Sequence, residues 1–287
     1  MSRRPLSTLH PLPAPTALDA GTDARRVRAF TVKVLEDAAS VGNTLLPRDQ
    51  VVLGIRGLTL QPPCEVDADL MNVAKDDFEG SVGELAMANG APALQLGRLT
   101  EVGATIRVAI DKRIKGKRMT VAADWRELLD AHLAAQSAGK PDELEESARA
   151  EKTVALTELA EARLSVLIGP AGTGKTTLLS VLCSHPKVEA GGILLLAPTG
   201  KARVRMEQST KSLQLKGYTI AQFLSPHRYD GATGRYRLSD KPTEAGAHTV
   251  IIDEASMLTE EMFAALIQAL KGVHRLILIG DARQLPP

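Results

Sequence analysis

The sequence contains very few aromatic residues and only two cysteines. Aromatic side chains make up 3% of its 287 residues, so a row of rings that stacks on unpaired bases is not expected. Cys64 and Cys183 lie far apart in the chain, without the spacing of a disulfide framework or of a metal site. We therefore expect the protein to work in a reducing, cytoplasmic environment.

Long apolar runs and an excess of one charge are also missing. No apolar run approaches the roughly 20 residues that a helix needs to cross a bilayer, so we expect a soluble protein without a membrane partner. The 35 Lys and Arg residues nearly balance the 34 Asp and Glu residues, and the net charge therefore predicts no polyanionic partner. Any contact with nucleic acid must be local. The length allows about two domains.

The first part of the chain predicts a disordered tail followed by helices. Residues 1–24 are rich in proline and show no periodicity, which is typical of disorder. Apolar residues then recur at helical intervals from Val27 to Ala38. A second helix is predicted from Pro47 to Gly57, because proline favours a first helical turn. A third region with helical apolar spacing lies within Val66 to Ala88, and Glu79 and Gly80 can interrupt it.

After these helices the apolar period shifts towards two, which predicts a β-hairpin. Its first strand would contain Leu94, Leu96 and Leu99, its turn Glu101 to Gly103, and its second strand Ile106, Val108 and Ile110. Helices followed by a hairpin are typical of a small winged-helix module. We therefore predict that residues 25–140 form a smaller, mostly helical N-terminal domain of winged-helix type.

A cluster of six basic residues lies within Arg107 to Arg118, against the single acid Asp111. At the tip of a hairpin these side chains could contact phosphates and release counterions. A solvated charged loop is the simpler alternative, because no aromatic residues are interleaved with the charges. The sequence leaves both interpretations open.

A change of composition near residue 140 predicts the boundary between two domains. Gln136 to Asp142 (QSAGKPD) has the small, polar and proline-containing composition of a linker. The acidic run that follows it is typical of the first turn of a helix. Residues 141–287 are therefore predicted to form the second domain.

A short apolar strand, a glycine-rich loop and a helix follow one another in this second domain and predict a phosphate site. Leu164 to Ile168 has strand length, GPAGTGKT occupies Gly169 to Thr176, and Leu178 to Leu182 continues as a helix. Glycines allow the backbone to curl so that its N–H groups point at phosphate oxygens. The residues predicted to bind a nucleotide are Gly169, Pro170, Ala171, Gly172, Thr173, Gly174, Lys175, Thr176 and Thr177. A merely structural glycine-rich turn is the alternative.

Particular side chains of this region have predicted roles in metal binding and hydrolysis. Lys175 is expected to reach the β- and γ-phosphates, and the Thr176 hydroxyl to bind Mg²⁺. A second buried strand, Thr249 to Ile252, ends in Asp253 and Glu254. Beside a phosphate loop, Asp253 can hold the metal through water and Glu254 can polarise the attacking water. The alternative is that both acids only cap the helix predicted over residues 256–270.

Two further strands end in polar residues in the same way. Ile193 to Ala197 leads into PTGKAR, and Leu276 to Ile279 leads into GDARQLPP. Four apolar strands separated by helical stretches predict an α/β fold, with a parallel sheet flanked by helices and ligands at the carboxyl ends of its strands.

Together these segments resemble the first RecA-like motor domain of the superfamily 1 helicases, a class of P-loop NTPases, and in particular their RecD-like branch. GPAGTGKT is similar to the phosphate loop of that branch, LLLAPTGKAR to its strand-to-DNA motif, VIIDEASML to its metal and water motif, and LIGDARQLPP to its γ-phosphate sensor. TIAQFL, Thr219 to Leu224, is similar to its DNA-contacting TIHRLL segment, with Ala221 and Gln222 replacing His and Arg. The resemblance covers about Glu151 to Pro287.

The resemblance implies an ATP-dependent DNA helicase or translocase that moves 5′ to 3′, uses ATP and Mg²⁺, and serves DNA repair or recombination. Lys175, Glu254 and Gln284 would be catalytic, and Gln284 would sense the γ-phosphate and couple its loss to movement. Thr199, Lys201 and Thr219 would lie along single-stranded DNA, or at its junction with a duplex. A solvated helix face is the alternative for Lys201.

The family's motor pairs two RecA-like domains, and the second supplies arginines that stabilise charge on the transferred phosphoryl group. This sequence stops at Pro287, directly after the sensor motif. In related hydrolases such an arginine is worth roughly 10³ to 10⁵ in rate. We therefore expect slow hydrolysis and no unwinding by this chain alone, with the second domain supplied in cis or in trans. The alternatives are a truncated nucleotide-binding interaction module and a P-loop ATPase of another lineage.

The sequence also departs from the family at the adenine site. Helicases of this group usually place a glutamine before the first strand to read adenine, and the corresponding stretch, residues 150–153, contains none. We therefore predict weak discrimination among ATP, GTP and CTP. Competition binding with the three nucleotides measures this directly, and a strong preference for ATP would contradict it.

Overall fold

The computed structural model describes residues 20–78, 80–134, 142–170, 172–210, 215–225, 227–239, 241 and 246–281. The chain forms two compact units, Met1–Glu101 and Val102–Pro287. Within the described ranges, no helix combines the length and the apolar character that crossing a membrane requires. Most of the predicted N-terminal tail lies outside the described residues, and so does most of the predicted linker at residues 136–142.

The first unit has the element order of a winged helix. Its elements are α1 (Ala24–Ser40), β1 (Leu46–Pro47), α2 (Arg48–Arg56), α3 (Ala68–Ala74), β2 (Val82–Ala86) and β3 (Pro92–Leu96). The three strands form an antiparallel sheet in the order β1-β3-β2. The predicted helices near Val27 and Pro47 are confirmed, whereas the winged-helix domain over residues 25–140 stays a prediction.

Local capping and apolar spacing explain why the first helix forms where it does. The Asp23 carboxylate accepts a hydrogen bond from the Arg25 N–H at 3.0 Å, which satisfies a donor that the helix itself cannot. Val27, Thr31 and Leu35 are spaced four residues apart on one face, and all three are buried. Val27 and Leu35 pack within a core that also contains Ile55 of α2.

The predicted hairpin was placed wrongly. Leu94 and Leu96 lie in β3, but residues from Gly97 to Ile114 form a single helix, α4. Because β3 already pairs with β1 and β2 on its two sides, no edge of β3 remains for another strand. The apparent alternation in this segment came from β-branched residues on a helix, where Val108 is 69% exposed. The hairpin of this unit is β2 and β3 instead.

The basic cluster does not lie at a hairpin tip either. Three of its six members, Arg107, Lys112 and Arg113, lie on α4, and two others are paired with acids. Lys115 lies 3.8 Å from the Asp111 carboxylate one turn away, and Arg118 donates to Glu158 at 2.9 Å. The alternative of a solvated, charged surface therefore fits better than a phosphate-binding tip.

The second unit is built on a five-stranded sheet. Its strands are β4 (Leu164–Ile168), β5 (Ile193–Ala197), β6 (Gly217–Thr219), β9 (Thr249–Ile252) and β10 (Arg275–Gly280), with a separate pair β7 (Tyr229–Asp230) and β8 (Arg235–Tyr236). Its helices are α5 (Trp125–Ala134), α6 (Glu143–Glu161), α7 (Lys175–Cys183), α8 (Pro186–Glu189), α9 (Gly200–Ser209), α10 (Ile220–Leu224) and α11 (Glu260–Ala269). The sheet order is β4-β10-β9-β5-β6, and all four pairings are parallel. The predicted α/β fold and its four apolar strands are confirmed.

The division between the units falls at residue 101, whereas the sequence predicted a boundary near 140. Trp125 and Leu129 of α5 are buried in the same core as Leu156 of α6 and Leu182 of α7. Since these side chains help to close the core of the second unit, the segment that carries them groups with that unit.

A buried arginine ties α6 to the sheet. Arg275 starts β10, and its Nε donates to the Ala160 carbonyl at 2.6 Å while its Nη1 donates to Thr249 Oγ1 at 3.3 Å. Burial lowers the pKa of this guanidinium from its ordinary value. The two hydrogen bonds connect the end of α6 to the start of β9 and thereby help to position α6.

At the junction between β3 and α4, we predict that adding one methyl group to Gly97 lowers the stability of the protein. A Cβ on Gly97 would lie 1.7 Å from the Gly80 carbonyl oxygen. Because that oxygen belongs to the backbone, Gly97→Ala is expected to lower the free energy of unfolding by about 3 kcal/mol. Urea denaturation followed by circular dichroism measures the change.

Gly103 in the same helix is the matched control. No atom lies within 4 Å of a Cβ built at that position. Gly103→Ala should therefore raise the free energy of unfolding by about 0.5 to 1 kcal/mol, the helix propensity difference. Equal effects of the two substitutions would contradict the close approach at Gly97.

Candidate nucleotide-binding site

The parallel register of the sheet brings four chain segments to one edge. Gly280 of β10 is level with Ile168 of β4, and Ile252 of β9 is level with both Leu278 and Leu196. The residues that follow these strands therefore emerge together at the carboxyl ends. In parallel α/β sheets this edge is where ligands bind.

The glycine-rich loop after β4 turns sharply into α7. Gly172 and Gly174 adopt φ angles of +84° and +83°, in the left-handed region that L side chains rarely enter. Thr173 Oγ1 donates to the Pro170 carbonyl at 2.9 Å across the loop. The first N–H groups of α7 have no acceptor within the helix, and such a helix start favours an anion.

The side chain of Lys175 stays close to the loop that precedes it. Its ammonium donates to the Gly169 carbonyl and to the Pro170 carbonyl at 2.8 Å. Thr176, the next residue, is exposed. A cation and a hydroxyl are thus presented side by side at the start of α7.

The two acids after β9 are held in distinct ways. Asp253 continues the sheet, because its N–H donates to the Leu196 carbonyl at 3.0 Å. Glu254 is the one non-glycine residue with a positive φ, 51°, among the described residues, and its N–H donates to the Asp253 carboxylate at 2.9 Å. The backbone strain is concentrated at this junction.

Neither acid caps the long helix that follows. A short 3₁₀ turn, Ala255–Met257, comes first, and Glu254 makes no side-chain cap to it. The helix α11 is capped by Thr259, whose Oγ1 accepts from the Met262 N–H at 3.2 Å. The alternative interpretation, in which the two acids only cap this helix, is therefore not supported.

One cavity brings the predicted residues together. Lys175, Thr176, Asp253 and Glu254 line it, with Arg205 and Asp281. Ala171 and Gln284, also predicted, lie outside the described residues. No cluster of three or more His, Cys, Asp or Glu side chains that could hold a metal occurs in the described part of the chain. A metal here would need oxygens from the ligand as well.

Sequence reasoning missed Arg205. It lies on α9, and its Nη1 is 3.6 Å from Glu254 Oε1. The available signal was its spacing, because Arg205 follows Lys201 by four residues and therefore lies on the same face of α9. Nothing in the sequence connected it to an acid beyond residue 250.

Two of the three predicted DNA-contacting residues have a local structural role. Thr199 Oγ1 accepts from the Ala202 N–H at 3.2 Å and caps α9. Thr219 Oγ1 accepts from the Gln222 N–H at 3.1 Å, and the Gln222 side chain accepts from the Thr219 N–H at 2.9 Å. Lys201 is exposed in the first turn of α9. As acceptors in these bonds, the threonine hydroxyls still have a proton to donate.

Comparison with known proteins agrees with this geometry. The AAA domain family matches residues 152–287. The ATP-dependent RecD2 DNA helicase of Deinococcus radiodurans is 27% identical over 277 residues, which covers 92% of this chain and 35% of that protein. The RecBCD enzyme subunit RecD of Haemophilus influenzae is 34% identical over 154 residues, which covers 46% of this chain and 23% of that protein. The chain spans at most 35% of the length of these two relatives.

Likeness among solved structures is weaker. A structure of two Pif1 helicases unwinding forked double-stranded DNA shares 20% identity and a TM-score of 0.33, covering 59% of this chain and 35% of that one. A likeness of this size supports no argument about function.

The parallel sheet, the left-handed glycines of the loop and the acids after β9 define a P-loop NTPase domain of the RecA-like class. Its motifs occur in the order found in one branch of that class, and the related sequences carry the name of that branch. The second unit matches the AAA domain family and is similar in sequence to the RecD-like branch of the superfamily 1 helicases.

The capping role of Thr219 leads to a stability prediction. Thr219→Ala removes the acceptor for the Gln222 N–H and should lower the free energy of unfolding by about 1 kcal/mol. Thr219→Ser keeps the hydroxyl and should therefore retain most of the stability that the cap contributes. Thermal unfolding of the two variants checks this, and equal stability of the alanine variant and the unaltered protein would contradict it.

Proposed function

We propose that the chain is the nucleotide-binding part of an ATP-dependent DNA helicase or translocase of the RecD-like branch. The observation that carries this proposal is the single cavity lined by Lys175, Thr176, Asp253 and Glu254. A cation, a hydroxyl and two carboxylates around a glycine-rich loop are the groups that phosphoryl transfer requires.

The residues present fit a Mg²⁺–triphosphate. Gly172 has no atom within 4 Å of the position of a Cβ, so the outer face of the loop is open. Thr176 and Asp253 supply a hydroxyl and a carboxylate, the hard oxygen ligands that Mg²⁺ prefers. Mg²⁺ is usually held by one or two carboxylates and substrate phosphates rather than by an all-protein cage.

Each side chain has a separate task in this proposal. When bound, Mg²⁺ neutralises charge on the β- and γ-phosphates. Lys175 would exchange its loop carbonyls for phosphate oxygens, and Thr176 and, through water, Asp253 would hold the metal. Glu254 orients the attacking water and accepts its proton at Oε1. Gln284 is proposed to sense the γ-phosphate, and this role rests only on the resemblance to the helicase family.

Single-stranded DNA, or its junction with a duplex, is the proposed partner. Thr199 and Lys201 follow β5, and Thr219 is the last residue of β6. Because β5 and β6 are neighbours in the sheet, the three positions lie along the same edge. A hydroxyl and an ammonium suit backbone phosphates without reading the bases. The 5′ to 3′ direction, the cytoplasmic location and a role in DNA repair or recombination rest on the family.

Efficient hydrolysis and unwinding are proposed to need a second RecA-like domain in cis or in trans. The described residues supply the phosphate, metal and water contacts from one domain. The one arginine that lines the cavity, within the part of the chain that the structure describes, is Arg205, and it pairs with Glu254. The second candidate function is a nucleotide-binding module without turnover. The ion pair between Arg205 and Glu254 favours this candidate for the chain alone, because it occupies the acid that would accept the proton from water.

Two substitutions separate binding from hydrolysis. Lys175→Ala should abolish Mg·ATP binding, because it removes the phosphate-binding ammonium. Glu254→Gln should preserve binding and lower turnover by about 100-fold or more, as expected for loss of a general base. Nucleotide titration and a steady-state ATPase assay with single-stranded DNA measure both quantities.

The same assay tests the need for a second domain. Turnover above about 1 s⁻¹ by this chain alone, the low end of typical enzyme values, would contradict that need. Nucleotide binding that survives Lys175→Ala would contradict the assigned site itself. Nucleotide-dependent DNA affinity without any turnover would favour the binding module.

A further inference from the structure

Lys152 lies on α6, but its side chain reaches the phosphate loop. A Cβ built on Gly174 would lie 3.2 Å from Cε and 3.3 Å from Nζ of Lys152. Gly174 has a left-handed φ of +83°, and its side without a Cβ faces the end of the Lys152 side chain. The ammonium of Lys152 thus lies beside the turn from which α7 begins.

No acid offsets the charge of Lys152. The residues one helical turn away on α6 are Ala148, Arg149, Ala155 and Leu156, so no carboxylate can pair with it along the helix. Two acids of α6 pair with arginines, Glu145 with Arg149 and Glu158 with Arg118. Within the described ranges, Lys152 forms no ion pair or hydrogen bond.

The surroundings of this ammonium are already positive. Lys175 follows Gly174 directly and places a second ammonium on the loop carbonyls. The N-terminus of α7 adds the positive end of a helix dipole. Lys152 is half-buried, and a multiply charged anion bound beside it would offset its charge. Three positive elements around one loop match the phosphate chain of a nucleotide.

We propose that Lys152 is a second phosphate-contacting cation of the nucleotide site. The inference rests on the proposed function, because the phosphates it contacts are those held by residues 169–176. An ammonium is a compact point charge that binds phosphate without reading a base. Lys152 therefore increases the affinity for every nucleoside triphosphate by the same factor. It lies in the stretch, residues 150–153, where relatives are expected to read adenine.

The alternative chemistry for a lysine is base reading. An ammonium can donate to the O6 and N7 atoms of guanine, whereas a glutamine pairs with adenine. A base contact changes affinity for one nucleotide, and a phosphate contact changes affinity for all of them by the same factor. The two roles are therefore separated by comparing three nucleotides on one variant.

The experiment titrates ATP, GTP and CTP with Mg²⁺ into the full chain and its variants, using a displaced fluorescent nucleotide as the probe. Lys152→Ala should weaken all three nucleotides by a common factor of about ten, the expected size for a charged hydrogen bond. Lys152→Arg should retain affinity, because it keeps the positive charge. The salt dependence of binding should become shallower in the alanine variant.

Lys187→Ala is the matched control. Lys187 is an exposed lysine on α8 of the same unit, so its loss changes the net charge equally and should leave affinity unchanged. Thermal unfolding of Lys152→Ala must match the unaltered protein, and Lys152→Arg provides a second test at the same position if it does not.

The outcomes distinguish this inference from the proposed function. Unchanged affinity in Lys152→Ala, with loss of binding in Lys175→Ala, would overturn the role of Lys152 and leave the nucleotide site intact. Weakening of GTP alone would show that Lys152 reads a base and would overturn the phosphate contact. Failure of the unaltered chain to bind any of the three nucleotides would overturn the proposed function and, with it, this inference.

Discussion

The parallel pairing of β10 between β4 and β9 is the constraint on which the rest of the second unit depends. It sets Gly280 level with Ile168 and Leu278 level with Ile252, so the glycine-rich loop and the two acids emerge at one edge. Parallel strands buried on both faces need helices between them, and those helices carry the other charged groups to the same place. A shift of register would separate Lys175 from Asp253 and remove the cavity.

Electrostatics at this edge are divided between two sides. Lys152 and Lys175 lie beside the loop, while Asp253 and Glu254 lie across the cavity, where Arg205 pairs with Glu254. Each side carries charge that its own neighbours do not fully offset. The proposed Mg²⁺–triphosphate would complement both sides, because phosphates suit the cations and a metal suits the carboxylates. Arg205 and Lys201 share a face of α9, so that helix connects the proposed DNA contacts with Glu254.

Several elements could be predicted from the sequence because their signals are local. The strand, loop and helix at 164–183 follow from an apolar run and the need for glycine, and the cap of α6 follows from Asp142 and its acidic first turn. The segment from Gly97 to Ile114 was misjudged because β-branched residues alternate by chance on a helix. Its true state depends on β3 having both sides paired, which no local pattern reports.

The sequence by itself determined the class of the second unit, the positions of four strands and the identity of Lys175, Thr176, Asp253 and Glu254 as site residues to test. Tertiary structure decided that Lys152 of α6 lies beside Gly174 and that Arg205 of α9 meets Glu254. The physical reason is distance along the chain. Local spacing sets backbone conformation, whereas contacts between remote residues exist only after packing has brought their elements together.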